Sequence, residues 1–146
     1  LRAHGKKVGM AGLAKEARDK GYYVDYETTS GKREGGMYLW RLNALLEDHG
    51  LDSRVLLSAS PTDLDAAVVR SGEALVFMNA KRLWNDAALP DGAGHFVYVS
   101  GAEVDKAGKV RGYYINDTGT GEAARFIPAA DFVKAWRKSM VAIDAP

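Results

Sequence analysis

Residues 94–101 read Gly-His-Phe-Val-Tyr-Val-Ser-Gly, and residues 110–117 read Val-Arg-Gly-Tyr-Tyr-Ile-Asn-Asp. Both stretches are rich in β-branched and aromatic residues, and His95 to Ser100 alternates as a half-buried strand does. Between them, Asp105-Lys106-Ala107-Gly108-Lys109 has the chemistry of a turn. The two runs therefore predict an antiparallel hairpin. In such a hairpin the start of the first strand lies beside the end of the second. His95 opens the first run and Asp117 directly follows the second, so both fall at one end of the sheet. Alone, His95 reads as a rim histidine and Asp117 as a turn aspartate in Asn-Asp-Thr-Gly. Together they fit an imidazole held by a carboxylate through one ring nitrogen, with the other nitrogen left for a nucleophile.

Around the hairpin, Ala74 to Met78 is a continuous apolar run, a buried-strand pattern. Lys81 to Gly94 is predicted to be a connection carrying Trp84 and Pro90. Thr118 to Gly121 reads as a turn and Arg125 to Ile127 as a short strand. Ala129 to Lys138 reads as a closing helix with Phe132, Val133 and Trp136 on one face. Toward the N-terminus the periodicity is helical. Gly9 to Lys20 is a helix stopped by Gly21. Met37 to His49 is a second, with Trp40 on its apolar face and Gly50 as its stop. Ser60-Pro61-Thr62-Asp63 is the start signal of a third, running to about Arg70. Tyr22 to Tyr26 reads as a strand or extended turn, Thr28 to Gly36 as a loop and Arg54 to Leu57 as a strand. Helices first and sheet afterwards is an α+β arrangement. The alternating units and glycine-rich turn of a doubly wound nucleotide-binding fold are missing from the sequence.

The chain has 146 residues, about one domain's worth. Its 47% hydrophobic and 27% charged residues are ordinary for a globular chain, and a net charge of +1 gives no reason to expect nucleic acid or a membrane surface as partner. No apolar run approaches the roughly 18 residues of a membrane span. There is no cysteine, which excludes disulfides and thiolate metal sites. His4, His49 and His95 are too scattered to suggest structural zinc. No metal and no cofactor is expected. The chain starts at Leu1, so we expect an excised piece of a longer protein.

Four stretches resemble the papain-like cysteine peptidases, C39-type in particular. Ala11-Gly12-Leu13-Ala14 is similar to the Cys-Gly-x-Ala start of their catalytic helix, with alanine in place of cysteine. Gly94 to Gly101 resembles their histidine strand. Tyr114-Ile115-Asn116-Asp117, followed by Gly119 or Gly121, is similar to the strand that ends in their orienting acid. Ile127-Pro128-Ala129 to Trp136 resembles their closing helix. The bacterial effector peptidases of the AvrRpt2 kind share the strand pattern. The resemblance implies a single papain-like domain over residues 1–146, with N-terminal helices packed on an antiparallel sheet. It implies a thiol hydrolase acting on a protein or peptide substrate, with Ala11 at the nucleophile position and His95 and Asp117 as base and orienting acid. Trp84 and Gly94 are expected to line the substrate groove. By analogy the source would be a secreted bacterial effector or toxin domain.

Three departures from the family pattern matter. The nucleophile is absent. Thr118 stands where a proline usually follows the acid. The chain has no glutamine to serve as the usual oxyanion donor, and the place is taken by Gly5 with His4 beside it. We read Ala11 as an inactivating Cys→Ala change, because a natural pseudoenzyme has no reason to keep both His95 and Asp117. A second register puts Val8 at the nucleophile position and implies a natural pseudopeptidase that binds without cleaving. Deamidation, transglutamination and acyl transfer run on the same machinery and stay open beside peptide-bond cleavage. As given, the chain is expected to be catalytically silent.

Overall fold

The computed structural model describes residues 1, 4–27, 31 and 33–144, the side chains at 10, 33 and 34 excepted. The chain forms two compact units, Leu1–Ser53 and Arg54–Pro146, and each has its own local logic.

In the first unit, helix α1 (Met10–Asp19) follows an extended Gly9. It ends where Gly21 takes a left-handed φ of 67°, a conformation glycine adopts without Cβ strain. Strands β1 (Tyr23–Glu27) and β2 (Arg33–Met37) form an antiparallel hairpin in which Tyr23 faces Met37. Part of the predicted 28–36 loop is thus strand, while residues 28–30 and 32 lie outside the described residues. Because Met37 is paired in β2, helix α2 starts two residues later than its periodicity suggests, at Leu39, and runs to Asp48. Its buried face is Leu39, Leu45 and Leu46. Trp40, expected in the core, is instead 54% exposed and stacks on Tyr38. One residue on from Leu39, it is turned about a quarter of the helix circumference off the buried stripe.

The second unit is a six-stranded sheet under helices. In chain order its elements are β3 (Ser53–Leu56), α3 (Pro61–Ser71), β4 (Ala74–Asn79), α4 (Ala80–Trp84), β5 (Gly94–Val104), β6 (Val110–Asp117), β7 (Glu122–Pro128), α5 (Ala129–Ala135) and β8 (Trp136–Ile143). The strand order is β3-β8-β4-β5-β6-β7. The β8–β4, β4–β5, β5–β6 and β6–β7 pairs are all antiparallel. Ser60 and Asp63 form a reciprocal capping box at the start of α3, with Pro61 in its first turn. Leu64, Ala67 and Val68 from α3 and Phe132 and Ala135 from α5 pack on one face of the sheet, against residues that include Val76, Met78, Val97, Val99, Tyr113, Ile115 and Met140. The fold is α+β with antiparallel sheets.

The closing helix is shorter than predicted. It stops at Ala135, and Trp136 is already extended with ψ 134°. The remainder is β8, inserted between β3 and β4, with Leu75 paired to Val141 and Ala74 to Ala142. The physical reason lies in Met140-Val141-Ala142-Ile143, all buried. A four-residue apolar run cannot be hidden on one stripe of an exposed helix, but it can be hidden inside a sheet. Lys81 to Gly94 also differs from a plain connection, because its first part is α4. If β8 is an interior strand, Met140→Ala costs about 2–5 kcal/mol in urea denaturation. A cost within about 0.5 kcal/mol, as at an exposed helix tail, would contradict the placement.

Candidate active site

The site is assembled by strand register. On β5 and β6, Val99 faces Ile115 and Tyr98 faces Asn116. Side chains two apart share a face, so His95, Val97 and Val99 lie on the same side of the sheet as Tyr113, Ile115 and Asp117. That is the helix-covered side. His95 Nε2 meets Asp117 Oδ1 at 2.7 Å. The His95 side chain keeps 19% of its surface exposed, whereas the Asp117 side chain keeps none.

Asp117 accepts more than this one bond. Its Oδ1 also takes the backbone N–H of Gly119 at 2.8 Å, and its Oδ2 takes the indole N–H of Trp84 at 2.7 Å. Burial pushes the carboxyl upward and is the largest single influence. The Trp84, Gly119 and His95 hydrogen bonds, with the His95 charge, together outweigh it, and the acid is held below its ordinary value of 3.8. An ionised carboxylate has no proton to give. The hydrogen in the His95–Asp117 bond therefore sits on Nε2, and in the neutral ring the lone pair is left on the other nitrogen, Nδ1. Nδ1 has no hydrogen-bond partner among the described residues. The arrangement can take up a proton at Nδ1, and the buried carboxylate would stabilise the imidazolium that forms.

Trp84 is the last residue of α4. Its sequence context suggests a groove-lining place in a loop; the structure gives its N–H to Asp117 and sets its ring 4.9 Å from the His95 ring, tilted by 52°. A half-buried indole N–H needs an acceptor, but nothing in the sequence says that the acceptor is Asp117. Gly119 stands out in the sequence only through its match to the family pattern. A Cβ there would lie 2.4 Å from Trp84 Cζ2 and 3.1 Å from Asp117 Oδ1, so glycine lets the turn close over the indole. Gly94 is exposed beside His95, and a Cβ on it would strike the Phe77 ring at 2.3 Å, which is a packing reason for glycine at that position.

Ala11 belongs to the first unit and is the second residue of α1, with an exposed side chain. The first turn of α1 has no acidic residue and no side-chain cap. The leading N–H groups and positive dipole end of the helix are thus uncompensated by side chains. Val8 precedes the helix, and His4 lies in a short turn whose N–H bonds to Leu1 O. Among the described residues, no group of three or more His, Asp or Glu could hold a metal ion.

Acid titration tests the Asp117 environment. A carboxyl with a depressed folded-state value adds stability that is present above 3.8 and lost as pH falls through the lower folded value. The chain should therefore lose more stability than Asp117→Asn when pH is lowered below 3.8, in denaturation midpoints measured across that range. Parallel acid profiles for the two would contradict the geometry.

No family model and no curated protein matches this sequence. Solved structures do: the peptidase domain of Streptococcus ComA, a bi-functional ABC transporter involved in a quorum sensing pathway, superposes with a TM-score of 0.63. The match covers 99% of this chain and 84% of that one at 10% identity. At that identity the likeness concerns the fold, and the fold is that of a papain-like, C39-type peptidase domain.

Proposed function

We propose that this chain is the scaffold of a papain-like cysteine peptidase acting on a protein or peptide substrate, with its nucleophile replaced. The observation that carries the proposal is a half-buried imidazole held through Nε2 by a buried, ionised aspartate, with Nδ1 unpartnered among the described residues. A carboxylate–imidazole pair of this kind is the base half of a nucleophilic hydrolase. The peptidase-domain fold adds support, as does the uncapped start of α1.

In the reaction we propose, a thiol at position 11 gives its proton to His95 Nδ1. The thiolate attacks the carbonyl carbon of the scissile bond, and N–H groups of the helix start stabilise the oxyanion. The tetrahedral adduct collapses to a thioester, and the departing amine takes the proton from the imidazolium. Water, deprotonated by the same nitrogen, then hydrolyses the thioester. Asp117 keeps the ring oriented throughout. Trp84 and Gly94, flanking His95, are proposed to border the bound substrate. Residues 1–146 would act as one domain, and secretion as a bacterial effector or toxin is part of the same proposal.

The absence of cysteine favours a second reading, a natural pseudopeptidase that binds peptide without cutting it. Restoring the thiol separates the two. In Ala11→Cys the thiol should react with iodoacetamide near neutral pH about tenfold faster than an ordinary exposed cysteine, and His95→Ala added to it should remove the excess. Ordinary reactivity, unchanged by His95→Ala, would contradict the peptidase reading.

A further inference from the structure

We propose that Trp84 is a positioning residue. By holding the second oxygen of Asp117 it fixes which nitrogen of His95 is protonated and which is presented as base. The proposal rests on the reading above, that this pair moves a proton.

Asp117 has two oxygens and no surface exposure. Oδ1 is shared by His95 and the Gly119 N–H, and Oδ2 takes a hydrogen bond from Trp84. Without the indole donor, Oδ2 would be a buried anionic oxygen lacking its hydrogen bond, a costly state. The carboxylate would then relieve itself by rotating, by drawing in water or by taking up a proton. Each response changes what His95 faces. A rotated or protonated carboxyl no longer demands a proton on Nε2, and the imidazole is free to shift its hydrogen to Nδ1, the nitrogen that must stay bare to act as base.

Three observations fit a clamp better than ordinary core filling. The Trp84 ring touches both functional groups, donating to Asp117 and lying 4.9 Å from His95. On another side it is closed off by Gly119, where a Cβ would come within 2.4 Å of Cζ2 and 2.9 Å of Cη2. The helix carrying it is also pinned. Asn79 caps α4 by accepting from Arg82 N and donates to Asp91 O, Ala80 N bonds to Ala93 O, and Leu83 is buried in the core. The indole thus reaches Asp117 from a fixed base.

The test reads the His95 ring by nitrogen-15 NMR in the chain as it exists, so it needs no activity. The parent chain should show the Nε2–H tautomer with a slowly exchanging ring proton. Trp84→Phe keeps a ring of similar size but removes the donor. It should give a tautomer mixture and ring-proton exchange faster by about tenfold or more, the factor expected for one lost charge-assisted hydrogen bond. The Asp117 carboxyl should titrate higher in the same variant. If Trp84→Phe fails to fold, the parent chain still decides the matter. On acidification, the Trp84 indole proton and the His95 Nε2 proton should lose protection over one pH range. An unchanged tautomer and exchange rate in Trp84→Phe, or a His95 proton still protected after the indole bond is lost, would overturn the proposal. An inert Ala11→Cys thiol alongside the expected NMR changes would sink the peptidase reading and leave the clamp standing.

Discussion

A carboxylate taken wholly out of water must find hydrogen-bond donors, and Asp117 is such a carboxylate. Its donors come from three separate stretches: His95 at the start of β5, Trp84 at the end of α4 and the backbone of Gly119 in the turn after β6. Satisfying this one group fixes the relative positions of a strand start, a short helix and a turn. The cost of burying the charge is offset locally, and the acid is held ionised below its ordinary value. Ionisation in turn decides the chemistry next to it. A carboxylate can only accept, so the imidazole donates from Nε2 and, when neutral, has its lone pair on Nδ1. Which nitrogen of the neutral His95 ring is left bare thus follows from how Asp117 is kept charged.

The rest of the sheet supports this end without taking part in it. Val76, Val97, Val99 and Ile115 are essentially fully buried under α3 and α5. Burying each such side chain contributes about 1.5–3 kcal/mol and holds β4, β5 and β6 in the register that aligns His95 with Asp117. Tyr113, two residues before Ile115 on the same face, packs its ring on Phe132 and donates its hydroxyl to Asp65, which ties both helices to β6.

Much of this is legible in the sequence because it follows from period and local chemistry. The alternation from His95 to Ser100, the turn at Asp105 to Lys109 and the apolar run of 74–78 give the hairpin and its neighbour directly. The Ser60-Pro61-Thr62-Asp63 signal gives the start of α3. Other features are hidden for physical reasons. β8 follows α5 with no intervening loop, and Trp136 suits either a helix face or a strand, so only pairing with β4 separates them. Trp40 looks like core because tryptophan is hydrophobic, yet it falls off the buried stripe. The role of Trp84 depends on a donor–acceptor pair 33 residues apart in the chain, and no local periodicity encodes that.

The central claim is that His95, oriented by Asp117, is the base for a thiol at position 11. Intact-protein mass spectrometry of Ala11→Cys after incubation with a peptidyl vinyl sulfone tests it most directly. The warhead forms a thioether only with an activated thiol it can reach in a peptide-binding site. The account predicts one adduct on Ala11→Cys, and none when His95→Ala is added or when the cysteine is placed at position 8 instead. No adduct on Ala11→Cys, or an adduct that survives His95→Ala, would contradict it.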